Sequence, residues 1–187
     1  MRRPMTADQV RQAQRGDHAA FESIIGAAYD RLYAIAYRIL RDRGAAEDAT
    51  QDAIVRCWRD LRGLRDPDRF EAWLHRLLVN ACRDLARRQQ RRPQQDLATA
   101  PEPAAGGDDY ERVADHDELE RAFARLPADQ RIALVLTHYA GYSAPELALI
   151  LDVPTGTVYS RLHYGARAMR DALAVPNPPT TASEPLR

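Results

Sequence analysis

The run PQQDLATAPEPAAGGDD, from Pro93 to Asp109, decides most about how this chain can fold. Its three prolines and two glycines carry neither helical nor strand periodicity, so it is expected to be extended and mobile. The apolar residues on its two sides must then close into separate bodies. Both sides repeat at helical spacing, and no strand-like alternation is sustained anywhere in the chain. The reading is all-α: two small helical domains, over 16–92 and 112–175, joined by a flexible acidic linker over 93–111. An N-terminal extension over 1–15 precedes them, and the tail over 176–187, PNPPTTASEPLR, is expected to be disordered.

Net charge is zero, but the charge is unevenly placed. From Arg69 to Arg92 seven arginines face Glu71 and Asp84, a local charge of plus five. From Gln94 to Arg121 nine carboxylates face Arg112 and Arg121. Such polarity points to a nucleic-acid-facing block and a separate acidic segment.

In the first domain, Asp17 to Leu40 predicts one long helix or two, with Phe21, Ile24, Ile25, Ala28, Leu32, Ala36 and Ile39 inward. Gly44 is read as ending it. A second helix from about Ala45 places Thr50, Ile54, Cys57, Trp58 and Leu61 on its core face. Its other face carries Glu47, Asp48, Gln51, Asp52 and Val55, an acidic patch with an apolar centre that composition alone reads as a solvated surface. A third helix, from Phe70 to about Arg91, packs Leu74, Leu77, Leu78, Ala81 and Leu85. Opposite lie Trp73, Arg76, Asn80, Arg83, Arg87 and Arg88, an aromatic plate, an amide and guanidinium groups suited to phosphates and unstacked bases. Trp73, beside Phe70, reads equally as a core anchor.

In the second domain, Tyr142 to Arg161 reads as a helix-turn-helix. Ser143 can cap the first helix, with Pro145 tolerated in its first turn and Glu146 completing a capping box. Leu147, Ile150 and Leu151 point inward, Ala148 allows a close helix crossing, and Asp152-Val153-Pro154 breaks the helix, with Val153 plugging the core. Thr155 is read as capping the second helix, on which Val158 and Leu162 point inward. That leaves Thr157, Tyr159, Ser160, Arg161, His163 and Tyr164 as groove or backbone contacts, with Thr157, Ser160 and Arg161 foremost because the start of such a helix reaches bases and phosphates most easily. A helical hairpin inside a larger core would share this pattern.

Other chemistry finds no support in the sequence. Two cysteines, Cys57 and Cys82, fall on apolar stripes without metal-ligand spacing and read as buried thiols. His18, His75, His116, His138 and His163 are scattered, and no nucleophile-base order or phosphate loop appears. No cofactor, metal or covalent catalysis is therefore expected. The N-terminus lacks the apolar segment of a secretory signal, so the cytoplasm is the expected compartment, without membrane insertion.

Four segments in order carry a resemblance: GAAEDATQDAIVRCW (Gly44–Trp58), FEAWLHRLLVNACRDLARR (Phe70–Arg88), LPADQRIALVLTHYAGYS (Leu126–Ser143) and VPTGTVYSRL (Val153–Leu162). Together they resemble the bacterial sigma factors of the extracytoplasmic-function class, over about Gly16 to Asp171. The resemblance implies a role as sigma factor for core RNA polymerase. Glu47, Asp48, Gln51, Asp52 and Val55 would dock on the coiled coil of the beta-prime clamp. Arg76, Asn80, Arg83, Asp84, Arg87 and Arg88, with the loop of about Arg62 to Arg69, would recognise the −10 promoter element and hold a flipped non-template base. The helix beginning at Thr155 would read the −35 element while its domain sits on the beta flap. The acidic linker would thread the polymerase cleft, and an anti-sigma factor would be a further partner.

Two departures stand out. Asp152 occupies the turn position where such proteins usually have Gly, and Asp tolerates left-handed geometry. Tyr164, Gly165 and Ala166 replace a usual basic residue, Ala and Arg, with Arg167 one position later. An autonomous helix-turn-helix regulator would leave the arginine face of the first domain and the linker without a role. A helical adaptor would leave the DNA features unexplained.

Overall fold

A computed structural model of the chain describes residues 6–91 and 119–174. The linker expected over 93–111 and the tail expected over 176–187 lie outside these residues.

The first body contains α1 (Ala7–Gln14), α2 (His18–Leu40), α3 (Arg43–Asp60) and α4 (Phe70–Arg91). Local chemistry sets each start. Thr6 and Gln9 form a reciprocal capping box on α1, Asp17 accepts from the Ala20 amide on α2 at 3.1 Å, and Asp42 accepts from the Ala45 amide on α3 at 2.6 Å. The end of α2 corrects the reading of Gly44. Arg41 takes the left-handed conformation (φ 61°) and closes α2, whereas Gly44 lies in the first turn of α3, because the Asp42 cap starts that helix sooner.

The first residues do more than precede the bundle. Val10 and Ala13 of α1 are buried in it, and Gln14 Nε2 donates to the carbonyls of Leu61 and Leu64 at 3.1 and 2.7 Å. Those carbonyls belong to the connection between α3 and α4, which is built from two short 3-10 turns, Leu61–Gly63 and Pro67–Arg69. The loop is therefore held in a defined shape at the start of α4.

The second body holds α5 (described over 119–125), α6 (Ala128–His138), α7 (Ala144–Leu151) and α8 (Thr155–Ala174). α7 has the expected capping box: the Ser143 amide and hydroxyl both donate to the Glu146 carboxylate, at 2.8 and 2.6 Å. These bonds hold the Glu146 carboxyl below its usual pKa. Asp152 ends α7 in the left-handed conformation (φ 55°), as its short polar side chain allows. Thr155 is the first helical residue of α8 rather than its cap, since Pro154 supplies the carbonyl that accepts from Thr157 and Val158. Gly165 is explained by packing: a Cβ there would meet Leu134 Cδ1 of α6 at 3.0 Å, so α8 crosses α6 where it has no side chain.

The two bodies also pack on each other, which the linker gave no reason to expect. Ile24, Leu32 and Ile35 of α2, Leu74 and Leu78 of α4, Ile132 and Leu136 of α6, and Leu147 of α7 belong to one continuous buried cluster. Burial of each such side chain contributes about 1.5–3 kcal/mol before chain entropy is charged against it. Cys57 and Cys82 are buried within this core, and burial pushes both thiols up to about 12, which suppresses the reactive thiolate. Among the described residues no helix is long and apolar enough to cross a membrane.

Candidate nucleic-acid interface

α4 places its polar row along one side. Arg76, Arg87 and Arg88 are exposed, and Asn80 and Arg83 are half-buried. Arg76, Asn80, Arg83 and Arg87 line a cleft of about 420 Å³ whose far wall is the second body: Asp129 of α6, the α7–α8 turn and Arg161 of α8. Trp73, left open between core and nucleic-acid contact, is half-buried and packs against the core with its ring 6.1 Å from that of Phe70.

Carboxylates meet the arginines across this cleft. Asp129 receives Arg83 Nε on Oδ1 at 3.1 Å and Arg161 Nη2 on Oδ2 at 2.8 Å. Arg76 Nη2 reaches Asp152 Oδ2 at 3.4 Å. Asp84 faces α3 instead, where Arg56 pairs with it at 3.4 Å and with Asp52 at 2.6 Å. Arg56 thus links the acidic face of α3 to the flank of α4.

On α8, Tyr159, Ser160, His163 and Tyr164 are exposed, while Thr155, Thr157 and Arg161 are half-buried. Ser160 Oγ donates to the Gly156 carbonyl at 3.0 Å. Val158 is fully buried and Leu162 partly so, the inward pair the periodicity required. The α7–α8 pair is therefore a helix-turn-helix with an open outer face, except that Arg161 bends back to Asp129.

On α3, Glu47, Asp48, Gln51 and Val55 are exposed and Asp52 is half-buried. Val55, at 64% exposure, is an apolar centre in an acidic ring. Trp58 departs from its expected core position. It is 41% exposed and packs between His18 and Phe21 of α2, with ring centroids 4.6 and 4.7 Å away, extending the apolar part of this face. One helical step of about 100° separates it from the buried Cys57, and the period alone blurred that boundary.

The periodicity also gave no hint of His75 or Tyr142. His75 of α4 is 2% exposed, and its Nδ1 lies 2.7 Å from the Tyr142 hydroxyl with the rings edge to face. Burial, aided by Arg31, lowers the His75 pKa to about 4, and burial raises that of Tyr142 to about 12. The imidazole is therefore neutral at pH 7, and its tautomer sets which of the two groups donates. A histidine at an otherwise apolar position of a helix was the available signal. Its partner is 67 residues away, so sequence spacing could not supply it.

Among the described residues no group of His, Cys, Asp or Glu could hold a metal ion. What the surfaces offer is recognition: a basic row, a helix-turn-helix and an acidic-apolar face.

Known families match the same two bodies. The description "Sigma-70 region 2" matches residues 24–92, and "Sigma-70, region 4" matches residues 116–169. SigM of Mycobacterium tuberculosis, an ECF RNA polymerase sigma factor, is 36% identical over 78% of this chain and 73% of its own length. The chain belongs to the ECF sigma factors. This sigma factor is also 35% identical to SigE of Mycolicibacterium smegmatis over 85% of its own length, spanning 65% of that relative. Its fold is similar to that of CnrH, solved in complex with the cytosolic domain of CnrY, with a TM-score of 0.63, 25% identity, and 91% and 97% of the two chains covered.

Proposed function

We propose that this sigma factor binds core RNA polymerase and directs it to promoters carrying −10 and −35 elements. The supporting observation is the separation of surfaces in one molecule: a basic row on α4, an outward α8 in a helix-turn-helix, and an acidic-apolar patch on α3.

Glu47, Asp48, Gln51, Asp52 and Val55, joined by Trp58, dock on the beta-prime clamp coiled coil. Carboxylates around an apolar centre suit a basic partner with apolar residues in the middle. Arg76, Arg83, Arg87 and Arg88 neutralise phosphates at the −10 element, Asn80 hydrogen-bonds a base edge, and Asp84 orients Arg56 beside them. The loop held by Gln14 captures a flipped non-template base. Holding that base favours melting because the cost of unstacking is recovered in the captured state.

Thr155, Thr157, Tyr159, Ser160, Arg161, His163 and Tyr164 meet the −35 element, and the same body sits on the beta flap. The acidic linker occupies the polymerase cleft. An anti-sigma factor covers the DNA-reading faces when the factor is held inactive, and the work takes place in the cytoplasm. No covalent step is involved. Two modest DNA-binding modules carried by one enzyme gain effective concentration, so specificity is expressed on polymerase rather than by the free chain.

Run-off transcription with purified core polymerase on a promoter library tests this. Initiation at defined start sites, dependent on the added chain, is expected. Absence of initiation together with failure to co-purify with core enzyme overturns the proposal, and tight sequence-specific binding by the free chain favours an autonomous regulator.

A further inference from the structure

Between Thr155 and Leu162 the start of α8 carries a single guanidinium, that of Arg161, and the fold turns it away from the outer face. Its Nη2 donates to Asp129 Oδ2 at 2.8 Å, and its side chain is 19% exposed. Asp129 stands in the first turn of α6, in the same body, so the pair belongs to the architecture of the helix-turn-helix itself. A helix turns about 100° per residue, which carries Arg161 well round from its exposed neighbours Tyr159 and Ser160.

The outward side is aromatic and small instead. Tyr159 and Tyr164 are 59% and 58% exposed. Five positions apart, they stand about 140° from each other around the helix, one on each side of Ser160 and His163. The His163 ring meets the Tyr164 ring edge to face at 5.5 Å, which steadies both. Ser160 Oγ gives its proton to the Gly156 carbonyl at 3.0 Å and so presents an acceptor outward. Gly156 heads the same stripe. A Cβ there would meet nothing within 4 Å, so no packing within the protein requires a glycine, and its bare backbone lets the helix approach a groove closely. The first guanidinium on this side is that of Arg167, one turn past His163, where it pairs with Asp171 at 3.6 Å.

In the major groove guanine is selected by a forked donor on O6 and N7, and ahead of Arg167 no such donor faces outward. Thymine is marked there by its C5 methyl, an apolar group that a phenol ring can cover. The adenine paired with it offers an N6 amino group, which complements an acceptor such as Ser160 Oγ. Thymine methyls line both strands of the groove, and rings on the two sides of one helix can reach opposite strands.

We propose that Tyr159 and Tyr164 are the specificity-determining residues of the helix-turn-helix, packing their rings on thymine C5 methyl groups, so that T·A pairs mark the −35 element of this factor. Arg161 is a positioning residue that anchors α8 to α6. The proposal rests on the function given above and names the bases that its second module takes.

The test uses the full chain with core polymerase and a promoter library randomised across both elements. Initiation is expected to enrich T·A pairs at two −35 positions about two base pairs apart, matching the rise of about 7.5 Å over five helical residues. On a promoter so selected, deoxyuridine in place of thymidine removes only the methyl, and initiation is expected to fall about fourfold per site. Tyr159→Ala and Tyr164→Ala are each expected to abolish the uracil effect at one of the two sites, and the corresponding Phe variants to keep it. Both side chains are exposed, so these changes leave the core intact. Tyr164→Arg is expected to turn the preference at its site toward guanine by about tenfold. Arg161→Lys, which keeps a positive charge for Asp129 but loses the fork, is expected to lower Tm without changing any base preference.

A wild type indifferent to uracil overturns the proposal, as does a uracil effect undiminished in both alanine variants. So does a guanine preference that disappears with Arg161→Lys, because Arg161 is then the reader. Failure of the wild type to initiate on any member of the library overturns the proposed function and the base assignment with it. Defined initiation that ignores the methyl groups overturns the base assignment alone.

Discussion

The acidic-apolar face of α3 and the basic face of α4 belong to one helical bundle but meet opposite circumstances. On α3, Val55 and Trp58 stand open amid exposed Glu47, Asp48 and Gln51. On α4, Arg76 and Arg83 are already paired with carboxylates from the second body. Where the first face awaits a partner, the second has a partner within the chain. On the proposed function, the α3 face is open to polymerase, whereas the α4 face must exchange these carboxylates for DNA.

The largest expected effect tests the open face. Combining Asp52→Arg with Val55→Glu is expected to weaken capture by core polymerase about a hundredfold, through reversed charge and loss of the apolar centre. Binding of the free chain to duplex DNA should be little changed. Pull-down and anisotropy measured on the same preparation check both halves of that statement, and undiminished capture breaks the comparison at its first term.

Next comes the basic face. Arg83→Ala is expected to lower polymerase-dependent initiation about tenfold while leaving capture by core enzyme intact. Arg87→Ala is expected to reduce the slope of log affinity against log salt by about one, the amount associated with one lost phosphate contact. A slope unchanged by Arg87→Ala would remove that residue from the phosphate contacts.

Acid sharpens the comparison because it reaches the packing of the two bodies through the buried His75–Tyr142 pair. With the two bodies packed together (closed, as against an open form in which they are apart), His75 is neutral, its pKa lowered from 6.5 to about 4, chiefly by burial and then by Arg31. Above pH 6.5 that contribution to closure is complete. As pH falls toward 4 the open form takes up a proton that the closed form refuses, and closure weakens, by about tenfold in the closed-to-open ratio at pH 5.5. Two acidic groups act on Tyr142: Glu71 of the first body, paired with Arg31 at 2.6 Å, and Glu146 of its own body, held below its usual pKa by Ser143. Interdomain distance measured from pH 7.5 to 5 should lengthen in the wild type, and His75→Phe should flatten that profile.

The smallest effect is local. Ser143→Ala removes the hydroxyl of the α7 capping box and is expected to cost about 1 kcal/mol, read as a lower Tm. No change in polymerase capture should accompany it, since α7 is remote in sequence and function from the α3 face.

How much of this was legible depended on the range of the interaction. The limits of α4, the Ser143–Glu146 box and the left-handed turn at Asp152 follow from residues within four positions of one another, and the structure has each of them. The polar row on α4 was legible for the same reason, as was the outward side of α8. Gly44 misled because glycine commonly ends helices, whereas here an aspartate cap two residues earlier set the boundary. Gly165 had no sequence-level explanation until Leu134 was found against it.

Sequence by itself determined two all-helical bodies, their surfaces of opposite charge and the helix-turn-helix, because helical period, caps and breakers act over a few residues. Tertiary structure alone decided that Asp129 binds Arg83 across 46 positions and Arg161 across 32, and that His75 meets Tyr142 across 67. Contacts at such separations leave no periodic trace along a chain; they arise only when apolar faces bury one another and bring distant charges into a common, partly desolvated cleft.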